Sequence, residues 1–577
     1  MSAEEDFERV AQRMREANFD DWPNEAGFEG LTETRGPIEL KVKGSFPAWA
    51  AGALYRTGPG EYNIENTPRG TFSTTHWFDG FGHSHKFEII ASPENPDVMR
   101  VEYSSRRQSE KYVEAIRRTG RLSVLSFGQR QDPCIGIFGK VMSMFVTDTH
   151  PTPTSQNVCV AVHADVPGLR SKAPPKENGA NASGHRGDGT GLWITTDAGI
   201  MKEMSRDTLE PIGTARQGHL HPLLSGPLSC AHAQRDPETG DFFNYNLQTG
   251  RIPTYRVFRT NVANGTTDIL ATIYQSDIKP AYIHSFFLTP SFVVLCVPST
   301  HLGLMGIKVP WNRNVADGID PFDESKLCKW FVIDRRGDRG VVATYESPAG
   351  FFFHSTNSFE ERNESTGDIE VFCECIAYHT TDIIRTFDMD VLLRRDGANQ
   401  RAWGDEKKNR DRLPRLIRYK LKVSEKPLGK LSQGKVEKVF EIKAPHAGEL
   451  PSINPNYATR RHRYVYSLPN RGYSTLMDSM AKTDTLTGKA TLWDGPKGHT
   501  PGEAIFVPRP RAPEDGDKEL AEDDGVLLSV ILDGFRRKSY LLCLNAKDMR
   551  EMGRAECDWA VGLGFHGLHT TSSTSRL

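Results

Sequence analysis

The sequence predicts an all-β protein whose strands close into a propeller-type architecture, and three observations carry that prediction. Past residue 35 the chain divides into short segments rich in β-branched and aromatic residues and bounded by Gly, Pro or Asp, such as "RGTFSTTHWFDG", "AYIHSFFLTPSFVVLCV", "STGDIEVFCECIAYHT", "TLTGKATLWDG" and "DDGVLLSVIL". A turn-then-strand unit recurs at Asp236-Pro-Glu-Thr-Gly240, Ser365-Thr-Gly367 and Asp484-Thr-Leu-Thr-Gly488, where Gly supplies the positive φ and Asp or Thr caps the turn. The pattern runs through most of the 577 residues without a fixed repeat period, and at this length a propeller protects its strand edges better than a sandwich.

Taken in order, residues 1–35 read as an acidic, helical N-terminal extension, and 36–577 as a single β domain. Helical patterning otherwise appears in "SEKYVEAIRRTG" (109–120) and in "GIFGKVMSMF" (136–145). Two polar stretches, 165–190 ("DVPGLRSKAPPKENGANASGHRGDGT") and 394–415 ("RRDGANQRAWGDEKKNRDRLPR"), read as surface insertions.

A net charge of −2 leaves no basic footprint for nucleic acid, which is excluded as a partner. Nine cysteines without paired metal spacing fit a reducing compartment; Cys373 and Cys375 share a strand face but form no CxxC. The N-terminus "MSAEEDFERVAQRMREANFDDW" has no apolar run of a secretory signal. No stretch approaches the roughly 18 apolar residues of a membrane span, so the expectation is a cytoplasmic protein, soluble or seated on a membrane surface.

The chemistry rests on histidine, of which there are 18. His83 with His85 ("GHSHKF") and His219 with His221 ("GHLHP") share a strand face at i and i+2, but neither pair has a carboxylate or cysteine at ligand spacing, and both are rejected as ligand pairs. His232 ("SCAHAQ"), His284 ("AYIHSFFLT"), His354 ("GFFFHSTNSFEE") and His566 ("GLGFHGLH") each lie in or beside an apolar strand-like run. Propeller inner strands converge on one axis, so these four are either separate core histidines or one axial cluster; their spacing leaves both readings open.

At these residues the chain resembles the carotenoid cleavage oxygenases, the family that includes apocarotenoid oxygenases, plant epoxycarotenoid dioxygenases and the vertebrate retinoid isomerohydrolase. The resemblance runs from "GALYRTGPG" (52–60) through "HWFDGFGHSHKF", "AHAQRDPETG", "YIHSFFLT", "FHSTNSFEE", "GELPSINP", "PGEAIFVPRP", "EDDGVLLSVILD" and "YLLCLNAKDM" to "FHGLH" (565–569). The first of these blocks looks most like the fungal torulene-cleaving branch. The resemblance implies a seven-bladed β-propeller, with helices and loops capping an axial site where His232, His284, His354 and His566 hold one Fe(2+) per chain. It implies that Glu449 and Glu503 hydrogen-bond two of those imidazoles and orient them. Where relatives often carry a third glutamate, this chain has Thr195, Thr196 and Asp197, so the third support is Asp197, a threonine through water, or absent.

The implied reaction adds both atoms of O2 across one C=C bond of a polyene, giving two aldehydes. Phe286, Phe287 and Phe351 to Phe353 are candidates to line the polyene's path, or are plain core. The segment "QDPCIGIFGKVMSMF" matches the family's membrane-docking patch, with Cys134, Ile135, Ile137, Phe138, Val141, Met142 and Phe145 as its members; its other reading is a core-facing helix. The ending Ser575-Arg576-Leu577 resembles a peroxisomal address. Three readings stand: a torulene-type carotenoid oxygenase, a stilbenoid or β-carotene cleaver of the same family, and a propeller used as a non-catalytic binding scaffold.

Overall fold

In the computed structural model, residues 2–92, 94–95, 98–130, 152–169, 191–424, 432–493, 495–516 and 518–571 are described. Helices are few, and the body is a propeller-like set of sheets. Five of them have four or five strands each, a sixth runs to ten, and a two-stranded ribbon covers Asn63–Thr67 and Gly70–Ser73.

The sheets stand face to face, and an apolar core fills each gap. Phe243 and Tyr245 from one sheet meet Leu288 and Val293 of the next. Val294 and Trp330 meet Phe352 and Val371 one gap further on. Tyr466 and Leu468 meet Leu527 and Leu542 of the ten-stranded sheet, and Ala53 and Tyr55 of that same sheet meet Leu192 and Ile194. The cores therefore run round the molecule and return to the start. Alternation along each strand makes this possible, because successive side chains face opposite neighbours.

Closure comes from the chain's two ends. The last strand, His566–Thr571, pairs antiparallel with Gly52–Glu61, placing His566 opposite Thr57 and Thr571 opposite Gly52. Within the ten-stranded sheet, Ile38–Gly44 changes partner midway. Ile38 to Leu40 pair with Met99–Arg107, whereas Lys41 to Gly44 pair with Glu551–Glu556.

The expected helix at 109–120 is present as Glu110–Thr119, and an N-terminal helix spans Ala3–Glu16, started by a capping box between Ser2 and Glu5. That N-terminal helix is not a free extension. A helix this short is marginal alone in water, and it buries Phe7, Val10, Ala11 and Met14 against Val391, Ala398, Trp403 and Leu413. The stretch 394–415, expected as an exposed excursion, is thereby corrected. It forms the short helices Ala398–Trp403 and Glu406–Asp411, with Trp403 and Leu413 buried and Arg410 paired to Glu8 at 2.6 Å. Its many charges hid an apolar face spaced for helix packing.

The start of the 165–190 stretch also differs from expectation, because Asp165, Val166 and Pro167 are buried. Residues 170–190, the segment expected to dock on a membrane (131–145) and the last six residues lie outside the described part.

Candidate metal centre

Four strand entries meet at the sheets' inner edges, and each carries one histidine. His232 lies just before Gln234–Arg235, and its backbone N–H donates to the His284 carbonyl at 3.4 Å. His284 lies just before Phe287–Leu288. The neighbouring Ser285 hydroxyl donates to the Phe353 carbonyl at 2.7 Å and accepts the Ser355 N–H at 2.7 Å, tying this entry to the next. His354 sits inside Phe351–Arg362 where pairing with Ile369–Tyr378 slips between Phe352 and Ser355. Such an irregularity re-aims a side chain out of the ladder. His566 opens the closing strand.

The four imidazoles converge. Nε2 of His232 lies 3.1 Å from Nε2 of His284, and Nε2 of His354 lies 3.2 Å from Nε2 of His566. One ligand atom from each residue falls within 4.8 Å of all the others, and among the described residues this is the one group of three or more potential ligands so placed. The rings of His232 and His566 cross nearly at right angles with centroids 4.2 Å apart.

Three of the rings are held from behind by carboxylates, two from other sheets and the third, Glu503, from another part of the ten-stranded sheet. His284 Nδ1 donates to Asp197 at 2.8 Å, His354 Nδ1 to Glu449 at 2.6 Å, and His566 Nδ1 to Glu503 at 2.8 Å. Each carboxylate is itself held. Asp197 accepts the Ala231 N–H at 3.0 Å and the Tyr282 hydroxyl at 2.9 Å. Glu449 accepts the Tyr378 hydroxyl at 2.6 Å. Glu503 accepts Arg56 Nη1 at 3.2 Å and the Gly567 N–H at 2.8 Å. A Cβ on Gly567 would fall 2.7 Å from Arg56 Cδ, so glycine there is what lets the guanidinium lie across the strand.

The electrostatics follow from burial and these bonds. Burial alone would raise both glutamates, but His354, the Tyr378 hydroxyl and the Leu450 N–H bring Glu449 below its ordinary value. Against the same burial, His566, Arg56 and the Gly567 N–H do so for Glu503. Burial and the other three imidazoles hold His232 well below the ordinary histidine value, and burial takes His566 down to about 4. These shifts favour ionised Glu449 and Glu503 and neutral His232 and His566.

A proton fixed on Nδ1 leaves a bare lone pair on Nε2. In His354 and His566, whose Nδ1 atoms both donate to carboxylates, Nε2 lone pairs facing each other at 3.2 Å repel unless a cation stands between them. Spacings of that length suit nitrogen donors sharing one transition ion at roughly 2.1 Å. Charge points the same way: three carboxylates, two of them buried, stand around the rings with one buried guanidinium, a setting that favours a cation.

Of the possible third supports, Asp197 holds His284. Thr195 instead donates to the Ala231 carbonyl at 2.7 Å, and Thr196 makes no contact with the four rings. The phenylalanines divide by strand alternation. Phe351 and Phe353 join the aromatic cluster over the site, with Phe353 5.8 Å from the His284 ring. Phe352 and Phe287 pack between sheets beside Trp330, and Phe286 packs in the preceding gap. The cluster's other members, Trp77, Phe78, Phe127, Phe387 and Phe565, were missed, as were Arg56, Tyr282 and Tyr378. Three signals were visible in the sequence: "HWFDG", the Arg of "GALYRTG" and the Phe preceding His566. His83 and His85 are buried together with ring centroids 4.4 Å apart and are not part of the four-histidine group.

The sequence model of the retinal pigment epithelial membrane protein family matches residues 27–571. Among curated relatives, a carotenoid dioxygenase of Neurospora crassa is 50% identical across 98% of this chain and 94% of its own length. A torulene dioxygenase of Gibberella fujikuroi is 45% identical across 98% and 96%. A β,β-carotene 15,15′-dioxygenase of Mus musculus is 26% identical across 92% and 89%. Among solved structures, a variant of the Synechocystis apocarotenoid oxygenase superposes with a TM-score of 0.67 at 20% identity, covering 95% of this chain and 98% of that one.

Proposed function

This chain belongs to the carotenoid oxygenase family that includes the retinal pigment epithelial membrane protein, and on that premise we propose that it cleaves one C=C bond of a torulene-like carotenoid with O2 to give two aldehydes. The observation that carries the reading is the set of four converging imidazoles, three of them hydrogen-bonded to carboxylates, at the meeting point of the sheets. His232, His284, His354 and His566 would hold one Fe(2+). When bound, ferrous iron supplies the O2 activation that delivers one oxygen atom to each carbon of the broken bond.

The chain's own residues do the rest. Asp197, Glu449 and Glu503 keep a proton on Nδ1 of His284, His354 and His566, which aims each Nε2 at one point. Tyr282 and Tyr378, pushed far up by burial, stay protonated and keep donating to those carboxylates. Phe78, Phe353 and Phe565 exclude water and present flat apolar faces to a rigid polyene, so the wall's shape selects the bond by positioning.

The seven-bladed form belongs to the same reading. The partner change within Ile38–Gly44 supports counting the ten-stranded sheet as two blades, which with the five smaller sheets makes seven. Access to a bilayer-dissolved substrate is assigned to Cys134, Ile135, Ile137, Phe138, Val141, Met142 and Phe145. Replacing Phe138 and Met142 with Asp should release the protein from liposomes with iron retained, and unchanged flotation rejects the assignment. Deleting Ser575–Leu577 tests a peroxisomal address by localisation.

Incubating iron-loaded protein with torulene, β-carotene and resveratrol, and identifying the products, tests the function. Torulene-derived aldehydes in excess are expected, in keeping with the greater similarity to the torulene than to the β-carotene relative. Products from resveratrol or β-carotene alone would move the substrate elsewhere in the family. Absence of both stoichiometric iron and products would leave a binding scaffold.

A further inference from the structure

The fourth imidazole differs from the other three. His284, His354 and His566 each have a carboxylate on Nδ1, whereas among the described residues no carboxylate meets the His232 ring. His232 is also the only one of the four that is partly exposed. A histidine that binds metal ordinarily takes its orientation from a partner on the other ring nitrogen. Something else has to fix where this ring points.

The backbone just before it is held in an unusual way. Residues 227–229 run antiparallel to 197–199, with the Gly199 N–H donating to the Pro227 carbonyl and the Ser229 N–H to the Asp197 carbonyl, each at 3.0 Å. The next rung would join the Ala231 N–H to the Thr195 carbonyl, but that carbonyl accepts the Val160 N–H at 3.2 Å. Ala231 is fully buried, so both of its backbone groups need partners. Side chains supply them. Its N–H donates to Asp197 Oδ1 at 3.0 Å, and its carbonyl accepts the Thr195 hydroxyl at 2.7 Å. One short turn thus grips Ala231 at both ends.

His163 backs this grip. It ends the strand Ala161–His163, which pairs with Leu192–Thr195, and its Nε2 lies 3.1 Å from Thr195 Oγ1 and 3.3 Å from the Ala231 carbonyl. The one hydroxyl proton of Thr195 goes to the Ala231 carbonyl, since its other acceptor, the Ala161 carbonyl, is 3.5 Å away. His163 Nε2 therefore carries the proton that meets both oxygens. The Ala231 carbonyl and the His232 N–H share one planar peptide unit, so holding that oxygen holds the plane on which the His232 side chain is mounted. The N–H side of the plane is held less firmly, reaching the His284 carbonyl at 3.4 Å.

We propose that Thr195, backed by His163, positions His232 as a metal ligand through the Ala231 carbonyl, in place of the carboxylate that serves each of the other three rings. The assignment rests on the reading of the four histidines as an iron site and adds two positioning residues to it. It also gives Asp197 a double role, on the His284 ring directly and on His232 through the Ala231 N–H.

The test uses the full-length protein and reads the metal rather than turnover. Thr195→Val keeps the shape of the side chain and loses the hydroxyl, whereas Thr195→Ser keeps the hydroxyl. In competition with a ferrous chelator, Thr195→Val should bind iron about tenfold more weakly, and Thr195→Ser should bind as the wild type does. His163→Leu should fall between them. In the cobalt(II)-loaded protein, whose visible d–d bands report ligand geometry, Thr195→Val should shift the bands and Thr195→Ser should leave them in place. A side chain that only supports the fold would lower the melting temperature of Thr195→Val while iron affinity and bands stayed as in the wild type. That result overturns the proposal, as does a loss in Thr195→Ser equal to that in Thr195→Val. Should Thr195→Val not fold, His163→Leu, at a partly exposed position, decides by the same two readouts. A wild type that takes up no iron refutes the iron reading and the grip with it. A wild type that binds iron, with the variants matching it, refutes the grip alone.

Discussion

The protein contains two kinds of buried histidine–carboxylate pair, and the difference between them separates a site from a structural lock. At the axis, Asp197, Glu449 and Glu503 take Nδ1 of their partners and leave Nε2 bare toward a common point. Between the strands Phe351–Arg362 and Tyr464–Leu468, His462 and Glu374 are buried just as deeply, with His462 Nε2 3.0 Å from the carboxylate. There, however, the second nitrogen is used as well: Asn357 donates to His462 Nδ1 at 2.9 Å, and Arg418 supplies the cation that Glu374 needs. Both ring nitrogens of His462 thus face protein groups, and the carboxylate has a guanidinium beside it. Burial and pairing are common to both regions. What marks the axial group is the unused nitrogen, multiplied by four and aimed at one place.

The largest expected effect breaks the comparison in one step. His284→Ala removes a donor and its bond to Asp197, and should abolish both stoichiometric iron and turnover. His462→Ala should retain about one iron per chain while losing stability on the scale of a few kcal/mol, because it breaks a buried pair. Metal analysis with a thermal melt of each variant checks both, and iron lost equally from the two would erase the distinction.

The carboxylates sharpen it further. Glu449→Gln should lower iron affinity roughly 10- to 100-fold by loosening the tautomer and orientation of His354. Glu374→Gln should leave iron affinity unchanged and cost about 3–5 kcal/mol by leaving Arg418 without its counter-charge. Competition with a ferrous chelator and a denaturant titration read the two quantities separately.

A smaller and more gradual effect comes from acid. Burial, together with the neighbouring arginines, holds His83 and His163 down to about 4. Between that value and the ordinary one near 6.5, the unfolded chain takes up protons that the folded chain refuses. Stability should therefore fall as pH drops from about 6.5 to 4. The lowered carboxylates Glu374, Glu449 and Glu503 act later, because their contribution is present above the ordinary carboxylate value and is lost only as pH falls through their own. Unfolding midpoints measured across this range should decline before the carboxylates titrate, and His163→Gln should flatten part of that decline. A flat profile above pH 5 would show that buried neutral imidazoles contribute nothing.

Much of this contrast was legible in the sequence, but not all of it for the same reason. His232, His284, His354 and His566 stood out by their apolar strand settings, and the blocks around them tied them to a known family. Nothing in "CECIAYHT" or "RRHRYVYS" announced that Glu374 and His462 would pair, nor that Tyr378 would reach Glu449. Those contacts join residues far apart in the chain. The phenylalanines show the limit most clearly. Phe351, Phe352 and Phe353 are indistinguishable by type, yet strand alternation sends the first and third to the aromatic wall and the second into the core between sheets.

By itself the sequence determined the all-β class, the family and the four histidines, because strand pattern, turn residues and motif blocks are local and survive in one dimension. It could not choose between Thr195, Thr196 and Asp197 as the third support, because that depends on which side chain the turn after Leu192–Thr195 brings to His284. It read 394–415 as exposed because the apolar face of that stretch is defined only by the N-terminal helix that covers it. Tertiary structure alone decided both. Each is a property of surfaces brought together by closing the sheets, with the last strand laid against one of the first.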